Sequence, residues 1–319
     1  MNYFSRIAAV SALTATCLLL ASCTEQEKSG PSDDKPTIES ITEAFEHPET
    51  KQKFKIVHAY ELYQNYKEEM ERSPNDSQLD IYKKEVINPI NSACFKGGEY
   101  PNMADLAIDV TPNSLPKNQA LSEKIDRGET EKTIKEALFK SADLLPAEEE
   151  TTVCVLPATD AKPGAVTIGA GKITLLYSKY YNAEAIKALI AHEYHHSVWT
   201  EKYLRNDVPF TVLDNLILEG KAVMFEKTAY PEIDLTPVDF TYQKVYWSEI
   251  EGELEKADLN RSLEIVRGGN GLPSNYGYSE GYKMVKSYLD LYPDITPKEW
   301  TALDPKEIFE KGNYLKNYQ

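Results

Sequence analysis

The middle of the chain carries an apolar stripe at helical spacing. The stripe begins after Asn182, a residue type that caps helix N-termini, and continues to about Tyr203. Residues three and four positions apart lie on one face of a helix, so this pattern predicts a long buried helix. The stripe is apolar except for two histidines. It consists of Ala185, Ala188, Leu189, His192, His196 and Trp199.

The chain before residue 150 has a pattern typical of helices. Apolar positions recur in steps of three from Phe54 to Tyr63, and an earlier helical pattern ends at His47-Pro48. We therefore expect residues 38–150 to form a helical N-terminal region that supports a site elsewhere or shapes access to it. Its predicted helices cover residues 37–72 with one break, 77–87, 119–127 and 131–144.

The pattern becomes β-rich at residue 151. Three short runs are rich in Val, Ile and Thr, and the last two are joined through Gly169-Ala170-Gly171. An edge strand next to a metal-binding helix could pair with an extended peptide. The overall prediction is an α+β fold, mainly helical, with a small sheet beside the long helix, and a catalytic region over residues 151–319. The runs cover residues 151–156, 165–168 and 172–177.

Four further helices are predicted after the long helix. One covers roughly residues 211–227, another begins with the tyrosines near residue 276, and two short helices open near Thr296 and Asp304. Each of the short helices has Pro at its first position, where the missing N–H costs nothing.

The N-terminus has the features of a secretion signal. A single positive side chain, Arg6, precedes a mostly apolar run over residues 7–20 that is short for a bilayer span. The run ends in Leu20-Ala21-Ser22-Cys23, which looks like a bacterial lipobox, in which Cys23 becomes the lipidated first residue; a plain signal peptide or an uncleaved anchor is the alternative. Residues 1–22 are the predicted lipoprotein signal peptide and 23–37 a flexible tether. We expect a protein of the cell envelope, lipid-anchored to a membrane on its extracytoplasmic side.

Net charge and cysteine content limit which binding partners and which kinds of site we expect for this protein. The formal net charge of −16 argues against direct binding to nucleic acid or to an anionic membrane surface. Outside the cytoplasm Cys94 and Cys154 could form one disulfide, although their spacing does not decide it. Neither has a Cys or His neighbour at metal-ligand spacing, so a thiol centre is not expected.

An H-E-x-x-H motif lies in the middle of the predicted helix. His192 and His196 are four residues apart and can reach one ion from the same helix face, with Glu193 beside them. Zinc binds neutral imidazole and carboxylate and keeps one position for water, whose proton an adjacent Glu can accept. His195 is expected to pack or to support a ligand, and a His192/His195 pair is the less usual alternative. A surface helix with an accidental histidine cluster would carry no metal.

The third zinc ligand is predicted to be Glu219. Three aliphatic residues precede it, and a carboxylate in such a setting needs a partner, for which a metal ion serves. Glu226 and Asp214 are weaker candidates, and Asp214 could instead orient a ligating histidine. Tyr278 is the candidate to stabilise the oxyanion of a tetrahedral intermediate, although packing is the ordinary role in a chain with 21 tyrosines.

These residues resemble the predicted zinc-dependent protease family called domain of unknown function 2268, among the gluzincin-like metallopeptidases. The resemblance implies a zincin-like fold, with zinc held by His192, His196 and Glu219 and with Glu193 as general base. Where the family often has an acidic residue four positions after the ligand Glu, this sequence has Val223. The resemblance rests on residues 163–176, His192-Glu193-Tyr194-His195-His196, Glu219-Gly220-Lys221-Ala222 and Gly277-Tyr278-Ser279-Glu280-Gly281-Tyr282.

The expected function is that of a surface-anchored zinc metallopeptidase acting on a peptide or protein substrate. The alternative is a catalytically silent zincin-like lipoprotein that binds a peptide, a protein partner or a metal. The presence of Glu193 favours the enzyme, because a protein that only binds would not need the base.

Overall fold

In the part of the chain that the structure describes, five strands form one mixed sheet. They are β1 Thr42–Glu46, β2 Lys53–Val57, β3 Thr151–Pro157, β4 Ala165–Gly169 and β5 Lys172–Tyr177. The computed structural model describes residues 35–159, 163–205 and 207–319, and residues 35–319 belong to one compact unit. The inner strands β2, β3 and β5 are parallel, whereas β1 and β4 run antiparallel at the two edges. Across the sheet the strands follow the order β1-β2-β3-β5-β4.

Helices surround this sheet, and the described residues have the mainly helical α+β composition that the sequence predicts. No helix in the described ranges combines the length and apolar character needed to cross a bilayer. The helices are α1 Tyr63–Arg72, α2 Gln78–Tyr82, α3 Asn88–Cys94, α4 Pro101–Ile108, α5 Leu115–Ser122, α6 Arg127–Leu144, α7 Ala183–Tyr203, α8 Val212–Ala229, α9 Lys244–Ile250, α10 Leu259–Arg267, α11 Tyr276–Leu291, α12 Pro297–Ala302 and α13 Pro305–Lys311.

The helical prediction for residues 37–57 is wrong, because this segment forms the β1–β2 hairpin. The three-residue steps from Phe54 continue into real helix only at Tyr63. Phe54 and Ile56 are buried on one side of β2. Val57 is buried on the other side, so the sequence does not show the alternation of apolar and polar residues that is typical of a strand. Strand β2 is stabilised by parallel pairing with β3, almost a hundred residues away, so the local pattern could not reveal it.

Both faces of the sheet are covered. Val153 and Val155 of β3 belong to a core shared with α6 and α7, whereas Cys154 and Leu156 belong to a second core with the N-terminal helices. This alternation follows from the two-residue period of a strand. A disulfide between Cys94 and Cys154 joins the end of α3 to β3, so the two cysteines do pair.

Helix α7 begins and ends as predicted, from its cap Asn182, whose side chain accepts a hydrogen bond from Ala185 N, to Tyr203. Its buried residues include Ile190 and Tyr194. The Tyr194 hydroxyl lies within hydrogen-bond distance of Gln52 Oε1 and of the Leu145 carbonyl. One side of α7 is therefore held in the core, and His192 and His196 lie on the side that faces α8.

Helices α8 and α11 cross at two glycines. A Cβ on Gly220 would overlap the backbone of Gly281, and a Cβ on Gly281 would overlap the Leu216 carbonyl. The backbones can approach this closely only because both residues lack side chains. Glu219 on α8 and Tyr278 on α11 are thereby carried on helices in direct contact.

Candidate metal centre

His192, His196 and Glu219 bring three ligand atoms together. The two Nε2 atoms are 3.2 Å apart, and Glu219 Oε2 lies 3.2 Å from His196 Nε2 and 3.4 Å from His192 Nε2. In a tetrahedral zinc site with bonds of about 2.05 Å, neighbouring ligand atoms are about 3.3 Å apart. The donor set and its spacing therefore fit zinc, and the predicted trio is brought to one point.

Glu226 binds the other nitrogen of the His192 ring. Its buried carboxylate Oε2 lies 3.3 Å from His192 Nδ1, and it also accepts hydrogen bonds from the Thr236 hydroxyl at 2.7 Å and the Thr236 amide at 3.1 Å. Because His192 Nε2 belongs to the ligand cluster, Nδ1 carries the proton and donates to Glu226. Glu226 is thus not a ligand in this arrangement; it orients one.

This contact accounts for the missing acidic residue at position 223. Val223 is fully buried, whereas Glu226, seven residues after Glu219, lies two helical turns further on the same side of α8. In this chain Glu226 is therefore the carboxylate that supports the ligating His192.

Asp214 has a different role from the two considered in the sequence analysis. Its Oδ2 accepts hydrogen bonds from the amide and the hydroxyl of Thr211, which form a capping box at the start of α8. Asp214 therefore stabilises the helix terminus, and the idea that it is a ligand or orients a histidine is corrected.

The pKa shifts of Glu219 and His192 favour a carboxylate with positive charge beside it. Burial raises the pKa of Glu219, but His196 and His192 outweigh it and hold that pKa below its ordinary value. Burial lowers the pKa of His192, whereas hydrogen bonds to Glu219 and Glu226 raise it to about 10 overall. Buried carboxylates need such compensation, which either protons on the imidazoles or a divalent cation between neutral imidazoles can supply.

Glu193 is held by the edge strand β4. The Thr167 hydroxyl lies 2.8 Å from Glu193 Oε2 and 2.8 Å from the Glu193 backbone carbonyl, and both residues are buried. Glu193 is next to His192 in the chain but is not one of the three converging ligands. The carboxylate is therefore fixed beside the cluster, and Thr167 is a contributor that the sequence analysis missed.

Tyr278 lies next to the cluster, with its ring centroid 6.2 Å from that of His192. The charge of Glu219, burial and the charge of Glu193 raise its pKa well above the ordinary value. The hydroxyl therefore remains protonated and can donate a hydrogen bond.

The His195 ring is turned away from the three ligand atoms and packs between Phe225 of α8 and Trp300 of α12. Its ring stacks on Trp300 with centroids 5.6 Å apart, and Nε2 is 3.3 Å from the Thr301 hydroxyl. Burial and the charge of His196 lower its pKa well below the ordinary value, so this histidine is neutral. The packing role predicted for His195 is confirmed, and a His192/His195 ligand pair is excluded.

A family profile described as "Predicted Zn-dependent protease (DUF2268)" matches residues 130–310, more than half of the chain. The chain belongs to this family. The Uncharacterized protein YjfC of Bacillus subtilis (strain 168) is 29% identical over 146 residues, which is 41% of this chain and 48% of that protein. The match thus spans about half the length of the curated relative. No solved structure matches the chain.

The predicted lipidation site, Cys23, lies outside the described residues.

Proposed function

We propose that this protein is a zinc metallopeptidase with a zincin-like fold, in which His192, His196 and Glu219 hold the ion. The observation that carries the proposal is the spacing of the three ligand atoms, each within about 0.1 Å of the edge of a tetrahedral zinc site. The hydrogen bond from His192 Nδ1 to Glu226 supports it, because ligating histidines almost always donate their second N–H to such an acceptor.

The residues around the cluster have complementary roles in peptide hydrolysis. A bound zinc ion would polarise the scissile carbonyl and lower the pKa of a water molecule. Glu193 accepts the proton of that water, and the Thr167 hydroxyl keeps its carboxylate in place. The protonated hydroxyl of Tyr278 donates to the carbonyl oxygen as it becomes negative.

Strand β4 supplies a surface for an extended peptide. Its inner edge pairs with β5, and Leu176 N donates to Gly164 O. In an antiparallel pair the backbone groups alternate in direction, so those of Ala165 and Thr167 point to the outer edge. Among the described strands none pairs with that edge. A peptide that adds there lies beside Glu193, since Thr167 contacts it directly.

The test is metal-dependent cleavage of a peptide mixture, analysed by mass spectrometry. We expect the protein to release new fragments, to stop after zinc is removed with a chelator, and to recover when zinc is restored. Stoichiometric zinc without cleavage of any peptide would contradict the enzyme and favour the catalytically silent binding protein.

The proposal includes a lipid anchor at Cys23, which would hold the catalytic unit to a membrane of the envelope outside the cytoplasm. Its support is the sequence Leu20-Ala21-Ser22-Cys23 after an apolar run. We expect cells fed labelled palmitate to label the wild-type chain and not Cys23→Ala, and the variant to leave the membrane fraction. Equal labelling of both chains would contradict the anchor.

A further inference from the structure

The outer edge of β4 is free only as far as Thr167, because residues 98–100 cover it from Ile168 onward. The register of β4 against β5 shifts between Thr167 and Gly169, and the Ile168 carbonyl also faces outward, where it accepts a hydrogen bond from Tyr100 N at 3.0 Å. A Cβ on Gly98 would overlap that same carbonyl. Glu99 Oε2 accepts a hydrogen bond from Ala170 N at 2.9 Å. Residues 98–100 therefore occupy the edge that a longer peptide strand would need.

The Tyr100 side chain closes the metal face of α7 at the same end. Thr200 donates its hydroxyl proton to the His196 carbonyl at 2.8 Å, so the Tyr100 hydroxyl is the donor in its 2.7 Å bond to Thr200 Oγ1. Thr200 is four residues after His196 and lies on the same face, about 6 Å further along the helix. An extended chain advances about 3.3 Å per residue, so only about one or two residues fit between the ligands and Tyr100.

The direction of β4 indicates which end of a peptide meets this barrier. β4 and the turn after it run alongside α7 in the same sense, with Thr167 bonded to Glu193 and Gly171 N donating to Ser197 Oγ. A peptide paired antiparallel, the more stable arrangement, has its N-terminus at the C-terminal end of β4. That end is the one that Tyr100 closes.

The charge at the barrier favours the same terminus. Glu99, next to Tyr100 in the chain, brings a carboxylate to this end of the groove, where it accepts the hydrogen bond from Ala170 N. The nearby cation, Lys172, donates to the Ala93 carbonyl. A carboxylate at this end attracts an N-terminal ammonium group and repels a C-terminal carboxylate.

We propose that the protein is an exopeptidase that removes one or two residues from the free N-terminus of a peptide, with Tyr100 and Glu99 forming the closed end of the groove. This proposal rests on the metallopeptidase function above. Water is split across the scissile amide: its oxygen forms the carboxylate of the released fragment, and the leaving nitrogen takes a proton to become the new N-terminus.

One peptide sequence in four forms tests the specificity: with both ends free, N-acetylated, C-amidated and cyclised. We expect the free and amidated forms to lose one or two N-terminal residues. The acetylated and cyclic forms lack the N-terminal charge and should react at least about tenfold more slowly, because a tenfold change corresponds to the loss of about 1.4 kcal/mol of charge interaction. Equal cleavage of the cyclic form would show an endopeptidase, and failure of the amidated form alone a carboxypeptidase; both overturn the proposal and leave the metallopeptidase standing.

A binding experiment separates this proposal from a failure of catalysis. In the zinc-loaded Glu193→Gln protein, fluorescence anisotropy should show at least about tenfold tighter binding of the free peptide than of its acetylated form. Equal affinities overturn the exopeptidase proposal whether or not the wild-type protein is active.

The barrier itself is tested with Tyr100→Ala. Removal of the ring should let the acetylated peptide become a substrate, a gain that misfolding cannot produce. Tyr180→Ala removes the same side chain at a site that is 79% exposed and should keep the wild-type selectivity. If Tyr100→Ala cleaves the free peptide and still rejects the acetylated one, Tyr100 is not the barrier.

Discussion

Glu193→Gln is expected to lower peptide hydrolysis by about 10²- to 10⁴-fold while the protein keeps its zinc. The amide has nearly the same size as the carboxylate and can still accept the hydrogen bond from Thr167. It cannot take a proton from water, so the loss falls on the chemical step. The three ligand atoms are on other residues and remain in place.

The measurement pairs initial cleavage rates with zinc content on the same samples. Glu184→Gln is the matched control, because it makes the same change in the first turn of α7, where Glu184 binds Lys187 at the surface. The control should retain wild-type rates. If Glu193→Gln also retains wild-type rates, the general-base assignment is wrong. If the variant loses its zinc, the lost metal accounts for the loss of activity and the assignment is contradicted as well, because the three ligands were expected to stay in place.

The ligands should show a graded effect on zinc binding. His196→Ala and Glu219→Ala each remove one of three protein ligands and are expected to leave little zinc after dialysis, because two ligands cannot complete a tetrahedral site. Glu226→Gln keeps all three ligands and loses the charged acceptor of His192 Nδ1. We expect its zinc affinity to fall by about 10- to 100-fold.

Competition with a chromophoric chelator measures these affinities. Glu232→Gln is the control, since Glu232 is an exposed carboxylate in the loop after α8. Wild-type affinity in His196→Ala or Glu219→Ala would place the metal elsewhere. An unchanged affinity in Glu226→Gln would remove only its proposed orienting role.

The parts of the fold that were predicted correctly depend on interactions between near neighbours. Helix α7 follows from an N-cap at Asn182 and an apolar stripe, and α12 and α13 from a cap followed by Pro at the first position. Two histidines four residues apart share a helix face whatever the helix packs against. These elements therefore did not require knowledge of distant partners.

Apart from the capping box of Thr211 and Asp214, which is local, the errors and omissions involve residues far apart in the chain. Strand β2 exists because it pairs with β3, and Thr167 matters because β4 lies against α7. The roles of Glu226 and Asp214 depend on whether the side chain reaches His192 or the start of its own helix. Tyr100 belongs to no recognisable sequence motif. Its position at the end of the groove follows from its hydrogen bonds to Ile168 and Thr200.

The sequence alone thus determined that a helix presents two imidazoles and a carboxylic acid side by side, because helical spacing is a local property. The tertiary structure decided the rest: that α8 brings Glu219 to the same point, that Glu226 supports His192, and that residues 98–100 close the groove. Each of these depends on the packing of segments tens of residues apart, which no local pattern of apolar and polar positions records.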